Sequence, residues 1–242
     1  MPHPRPFVCL LALAVLAMSA TGTAAQDPAP PVPACDASLP LLWIDGGRAS
    51  RGVLDAAERE ASRIWAAAGL TFDWARATPA RPLRPDQVLV MVREHLPGRP
   101  HADLRVRGRH TLGRVIRVSA DQPSRLIELA LPAVTRSVLD QSLFGRPVHD
   151  LPPVARDVAV GRALGRVLAH EIGHWLFGRE HTPHGLMRAS ITRRDLVAPI
   201  APALPAAWPS LARGRLQERR RGCAPPCPVR QPVTSKGTVP CP

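Results

Sequence analysis

Tyrosine is absent from the 242 residues, and aromatic residues make up only 4% of the chain. With no phenol to ligate a metal or donate to an oxyanion, any such charge must be met by a metal, backbone amides or arginine. Lysine is reduced to Lys236, so the formal charge of +13 is carried almost wholly by arginine. No aromatic stacking platform or nucleic-acid-binding motif accompanies that charge, which argues against specific nucleic-acid recognition. Most of it reads as solvated surface, with anionic envelope polymers as a candidate partner by long-range attraction. No apolar stretch reaches the ~20 residues of a membrane span, so no transmembrane segment is expected in the mature chain. Internal repeats are also missing.

What is present begins with Arg5, an apolar run from Phe7 to Met18, and small residues ending in Thr23-Ala24-Ala25. This pattern predicts a secretory signal peptide over residues 1–25 and a secreted or periplasmic location. Cys9 leaves with the signal. Cys35, Cys223, Cys227 and Cys241 remain, an even number in an oxidising compartment, and disulfides are expected, Cys35 pairing with one of the other three. Residues 26–38 read as a Pro-rich leader and 39–198 as one domain with one core. Residues 199–242 read as a Pro/Arg-rich tail with cysteines, in which Pro199, Pro202, Pro205 and Pro209 break regular structure.

Within the domain, Leu39 to Asp45 reads as a strand ended by Gly46-Gly47. Leu54, Ala57, Ala61, Ile64 and Ala68 recur at helical spacing up to Gly69. Thr71 to Trp74 and Val88 to Val92 read as strands, the second apolar enough to be central. Between Leu112 and Ser119, Val115 and Val118 are interleaved with Arg114 and Arg117, which suits a strand near an edge. A long helix is predicted from Pro152-Pro153 to Phe177, with Gly161 and Gly165 on a face that would approach the sheet closely. A short helix is expected from Ser190 to Val197.

The chemistry sits at the end of the long helix, in His170-Glu-Ile-Gly-His174-Trp-Leu-Phe-Gly178-Arg-Glu-His181. Positions four apart on a helix differ by ~40° in direction and ~6 Å in height, so His170 and His174 present two imidazoles to one ion. Glu171, beside them, can take a proton from a metal-held water as general base. Gly178 permits the helix to stop and the chain to return, bringing His181 as third ligand and leaving a fourth position for water. His184, Asp195 and Glu218 are the alternatives for that third position. The metal expected from this donor set is Zn²⁺.

These residues resemble the metzincin superfamily of zinc endopeptidases, whose pattern is His-Glu-x-x-His-x-x-Gly-x-x-His followed by a Met-turn. The resemblance implies His170, His174 and His181 as ligands, Glu171 as base and Met187, in Gly185-Leu-Met187, as the Met-turn residue. It also implies an α/β (α+β) fold: a twisted mixed sheet, an active-site helix and a small C-terminal subdomain. Peptide or protein would be the substrate, paired along an edge strand for which 112–119 is the candidate. One departure is that Gly178 stands four residues after His174, not three, so a bulged or π-type last turn is expected to absorb the extra residue. His181-Thr-Pro-His-Gly-Leu-Met-Arg188 is similar to an elongated version of the motif in secreted bacterial metallopeptidases. Cys35 is similar to the inhibitory cysteine of matrixin propeptides only in its proline context. His95, His101, Asp103 and His110 are a weaker second metal constellation. Two rival readings share the zinc: an amidase acting on cell-wall peptide, and a non-catalytic zinc-stabilised envelope-binding protein.

Overall fold

A computed structural model of the chain describes residues 38–221 apart from 47, 79–83, 85, 97–103, 107–109, 120–122, 179 and 202. In chain order the elements are β1 (Ser38–Ile44), α1 (Arg51–Ala66), β2 (Thr71–Arg76), β3 (Val88–Arg93), β4 (Leu104–Val106), β5 (His110–Arg117) and β6 (Pro123–Ala130). There follow α2 (Leu131–Leu139), a hairpin of β7 (Ser142–Leu143) and β8 (Arg146–Pro147), α3 (Pro153–Phe177), β9 (Ser190–Ile191), α4 (Arg193–Val197) and α5 (Trp208–Arg221). The expected mixed α/β architecture is present, built on one twisted sheet in the order β2-β1-β3-β6-β5-β4-β9. Strands β2, β1, β3 and β6 run parallel, and β5 lies antiparallel to β6 and β4.

Side chains alternate across a strand, and the alternation here fixes which sheet face carries the core. Leu39, Leu41, Trp43, Val88, Val90, Val92, Ile127 and Leu129 are all buried in one cluster with α1 and α3. The central place expected for β3 is borne out, since it pairs with β1 on one side and β6 on the other.

Helix α1 begins three residues before the apolar period suggests, because Ser50 caps it by accepting from the Val53 amide at 3.2 Å. Helix α3 starts after Pro152 as expected, proline costing no hydrogen bond in a first turn. Its two glycines do not serve the sheet. A Cβ at Gly161 would lie 2.4 Å from the Val53 carbonyl oxygen, and one at Gly165 would lie 2.6 Å from that of Ala57. The glycines therefore let α1 cross α3 almost backbone to backbone, which positions the helix that carries His170 and His174 against its neighbour. At the same crossing, buried Arg166 donates from Nε to Glu60 Oε1 at 2.7 Å and from Nη2 to the Ala198 carbonyl at 2.6 Å. That guanidinium ties the segment after α4 to both helices, and its charge is compensated by a hydrogen-bonded partner.

Other expectations are corrected. Strand β5 is not at an edge, since β4 pairs with it beyond β6. The arginine that suggested exposure is neutralised within the sheet: Arg114 Nε donates to the buried Glu128 at 2.8 Å, and Arg93 donates to the same carboxylate at 2.9 Å. The segment 190–197 is strand β9 followed by α4, which starts after Thr192 because Thr192 and Asp195 form a capping box. Past Pro205, where irregular chain was expected, α5 packs Ala212 and Leu216 into the core and stacks Trp208 on Phe177 and Trp65. The expected disulfides fall on residues outside those described. No disulfide is found among the described residues, and all five cysteines lie outside them. Among the described residues no helix is long and apolar enough to cross a membrane.

Candidate metal centre

His170 and His174 lie one turn apart near the end of α3, both buried, with ring centroids 4.5 Å apart and planes at 85°. The helix stays α-helical to its end, the Gly178 amide donating to the His174 carbonyl at 3.0 Å, so no π-type turn forms. The extra residue simply lengthens the helix by one, and the reversal falls on Gly178 at φ 94 and ψ −155, a conformation open essentially to glycine alone. The returning chain sets the His181 ring 4.8 Å from that of His174 and 5.7 Å from that of His170. The ligand atoms of the three histidines all fall within 4.8 Å of one another.

Hydrogen bonding fixes which nitrogen faces the centre. His170 Nδ1 donates to the Leu186 carbonyl at 2.7 Å, and His174 Nδ1 donates to the Gly178 carbonyl at 2.8 Å. A carbonyl can only accept, so each proton resides on Nδ1 and each Nε2 keeps a bare lone pair. The Nε2 atoms of His170, His174 and His181 are all buried without a hydrogen-bond partner. Three buried ring nitrogens left so would each cost ~1–3 kcal/mol, a cost that a shared cation would remove.

Burial, with the neighbouring His174 adding to it, holds the His170 imidazole down to about 3. Burial likewise lowers His174 to about 4, the positive charge of Arg117 contributing, and lowers His181. All three are thus neutral near pH 7, the state in which imidazole binds a metal.

Glu171 is fully buried on the same helix. A Cβ on Gly113 of β5 would stand 2.8 Å from Val167 Cγ1 and 2.9 Å from Glu171 Cγ, so the β5 backbone forms the wall beside this carboxylate. Beneath the helix, a Cβ on Gly173 would meet Met187 Sδ at 2.6 Å and Trp208 Cζ3 at 2.8 Å. Met187 is fully buried there, and the turn that carries it is pinned by Thr182 donating to the Met187 carbonyl at 2.9 Å and Leu186 donating to that of Ala203 at 2.8 Å.

The alternatives for the third ligand lie elsewhere. His184 is exposed, Asp195 is occupied by Thr192 and Arg188, and Glu218 pairs with Arg215 on α5. Of the second constellation, His95 is exposed, while His101, Asp103 and the side chain of His110 lie outside the described residues. Among the described residues the His170, His174, His181 group is the cluster that could hold a metal ion. Sequence reasoning missed the packing of Gly173 on Met187 and Trp208, and the nearness of Arg117 to His174. A glycine between two ligand histidines was the available signal for the first; nothing in the strand pattern signalled the second.

No protein-family model, curated protein or solved structure matches this chain.

Proposed function

We propose that the chain is a metzincin-like zinc endopeptidase, acting on peptide or protein substrates. The observation that carries this reading is the convergence of one ligand nitrogen from each of the three histidines within 4.8 Å, with all three Nε2 atoms buried and unpartnered, in a cluster beside the buried Glu171. A purely structural site has no use for that carboxylate. The fully buried Met187 under Gly173 supports a Met-turn floor, and the mixed sheet with its antiparallel β5 supports the architecture that the resemblance implies.

Zinc held by three neutral imidazoles would polarise a carbonyl and lower the pKa of a water toward ~7. His170, His174 and His181 would hold the ion, and the Leu186 and Gly178 carbonyls orient the first two rings. Glu171 takes the proton of the attacking water and returns it to the leaving amine, so no covalent intermediate on the protein is needed. With no tyrosine in the chain, Arg117, whose positive charge acts on His174, is a candidate to meet negative charge there. Export through the segment 1–25 and the division into leader, domain and tail remain part of this proposal on sequence pattern alone. Glu171→Gln tests the reading: it should keep zinc and fold while peptide hydrolysis drops by at least about two orders of magnitude. Near-normal hydrolysis would refute it and favour the non-catalytic alternative.

A further inference from the structure

Strand β5 walls the candidate centre at Gly113, where the backbone comes against Glu171. An extended peptide reaching a site walled by a strand is ordinarily held by main-chain hydrogen bonds along that strand's edge. On one side β5 is paired with β6, through Gly113↔Leu129, Arg114↔Glu128 and Val115↔Ile127. On the other side β4 is already seated, antiparallel, with Leu104↔Gly113, Arg105↔Thr111 and Val106↔His110. The same three-residue strand pairs parallel with β9 through Arg105↔Ser190 and Val106↔Ile191. Since β9 follows the Met187 turn, β4 stitches the wall above the centre to the chain below it.

We propose that β4 is an internal occupant of the peptide track beside the metal, barring a substrate from the stretch of β5 between His110 and Gly113. This rests on the zinc-peptidase reading and deepens it. Both neighbours of β5 run antiparallel to it, and a substrate taking the same direction points its C-terminal side toward Leu104. Such a chain cannot continue past Gly113, so the bonds presented to Glu171 and the metal lie close to the substrate's C-terminus. The specificity that follows is for peptide ends rather than for the middle of long chains.

The test compares the zinc-loaded full chain with its Arg105→Pro variant, proline being unable to donate to a strand ladder. Substrates are a mixed set of peptides with free C-termini and the same peptides extended at the C-terminus by a Gly/Ser stretch, with cleavage sites mapped by mass spectrometry. The wild-type chain should cut near free C-termini and lose at least about tenfold in kcat/KM on the extended set. Arg105→Pro should narrow that gap by cutting the extended peptides internally. Silence of the wild type with internal cutting by Arg105→Pro would also support the occupant, in its stricter form. Equal cutting of both sets by the wild type would overturn the proposal, whether or not the variant folds. Absence of hydrolysis by both proteins, with zinc bound, would instead sink the peptidase reading and this inference with it.

Discussion

Gly161→Ala puts a methyl carbon 2.4 Å from the Val53 carbonyl oxygen and 2.5 Å from Ala56 Cβ. Neither atom can step aside, because one is backbone and the other is fixed directly to it. Restoring ordinary contact requires α1 and α3 to part by roughly 1 Å, and a gap of that size forfeits about a quarter to a half of each affected dispersion contact. Overpacking of this kind costs ~1–3 kcal/mol, whereas replacing a mid-helix glycine with alanine returns ~1 kcal/mol. The net expectation is a loss of up to about 2 kcal/mol, which in a chain of this size lowers Tm by up to about 8 °C. Gly214 in α5 supplies the control, since a Cβ there meets nothing within 4 Å. Gly214→Ala should gain ~0.5–1 kcal/mol from the same propensity change and raise Tm. Thermal unfolding followed by far-UV circular dichroism, with both variants under one buffer, decides the matter. A Gly161→Ala chain that gains as much thermal stability as Gly214→Ala would refute the close crossing of α1 and α3.

Removal of the His181 imidazole should weaken zinc binding by more than the ~10–100-fold typical of losing an outer partner, while His184→Ala should change it little; competitive titration with a chromophoric chelator measures both, and equal affinities would contradict the assignment. Acid should destabilise the metal-free chain, because His170 is held to about 3 and His174 to about 4 while their unfolded counterparts protonate near ~6.5. The unfolded state then binds more protons in that window, so this stability is full above pH ~6.5 and falls as pH drops toward ~4, at a slope approaching roughly 3 kcal/mol per pH unit for the pair. Urea midpoints at several pH values in the presence of chelator would show it, and a midpoint that does not move between pH ~7 and ~5 would contradict it.

How much of this was legible in the sequence differs by element. Helix α3 and its histidines were readable because ligand spacing, proline start and glycine stop are local features. The place of His181 was readable only as one choice among several, since it depends on how the chain returns from Gly178. Strand β5 lies near an edge but is not the exposed edge strand, and only tertiary pairing shows that β4 covers it and that Arg114 is answered by Glu128 on β6. Helix α5 was hidden by its arginines and by Pro209. Its hold on the core comes from Trp208, Ala212 and Leu216, whose partners are distant in sequence. The glycines of α3 announced a close approach but were assigned to the sheet, and the true neighbour, α1, follows from packing alone.

The central claim is a zinc ion held by three imidazoles, and X-ray absorption at the zinc edge of the purified, metal-loaded chain tests it most directly. One zinc per chain is expected, with three imidazole nitrogens at ~2.0–2.1 Å and one light oxygen ligand completing the shell. A sulfur shell at ~2.3 Å, only two imidazoles, or failure of the folded chain to retain zinc would contradict it.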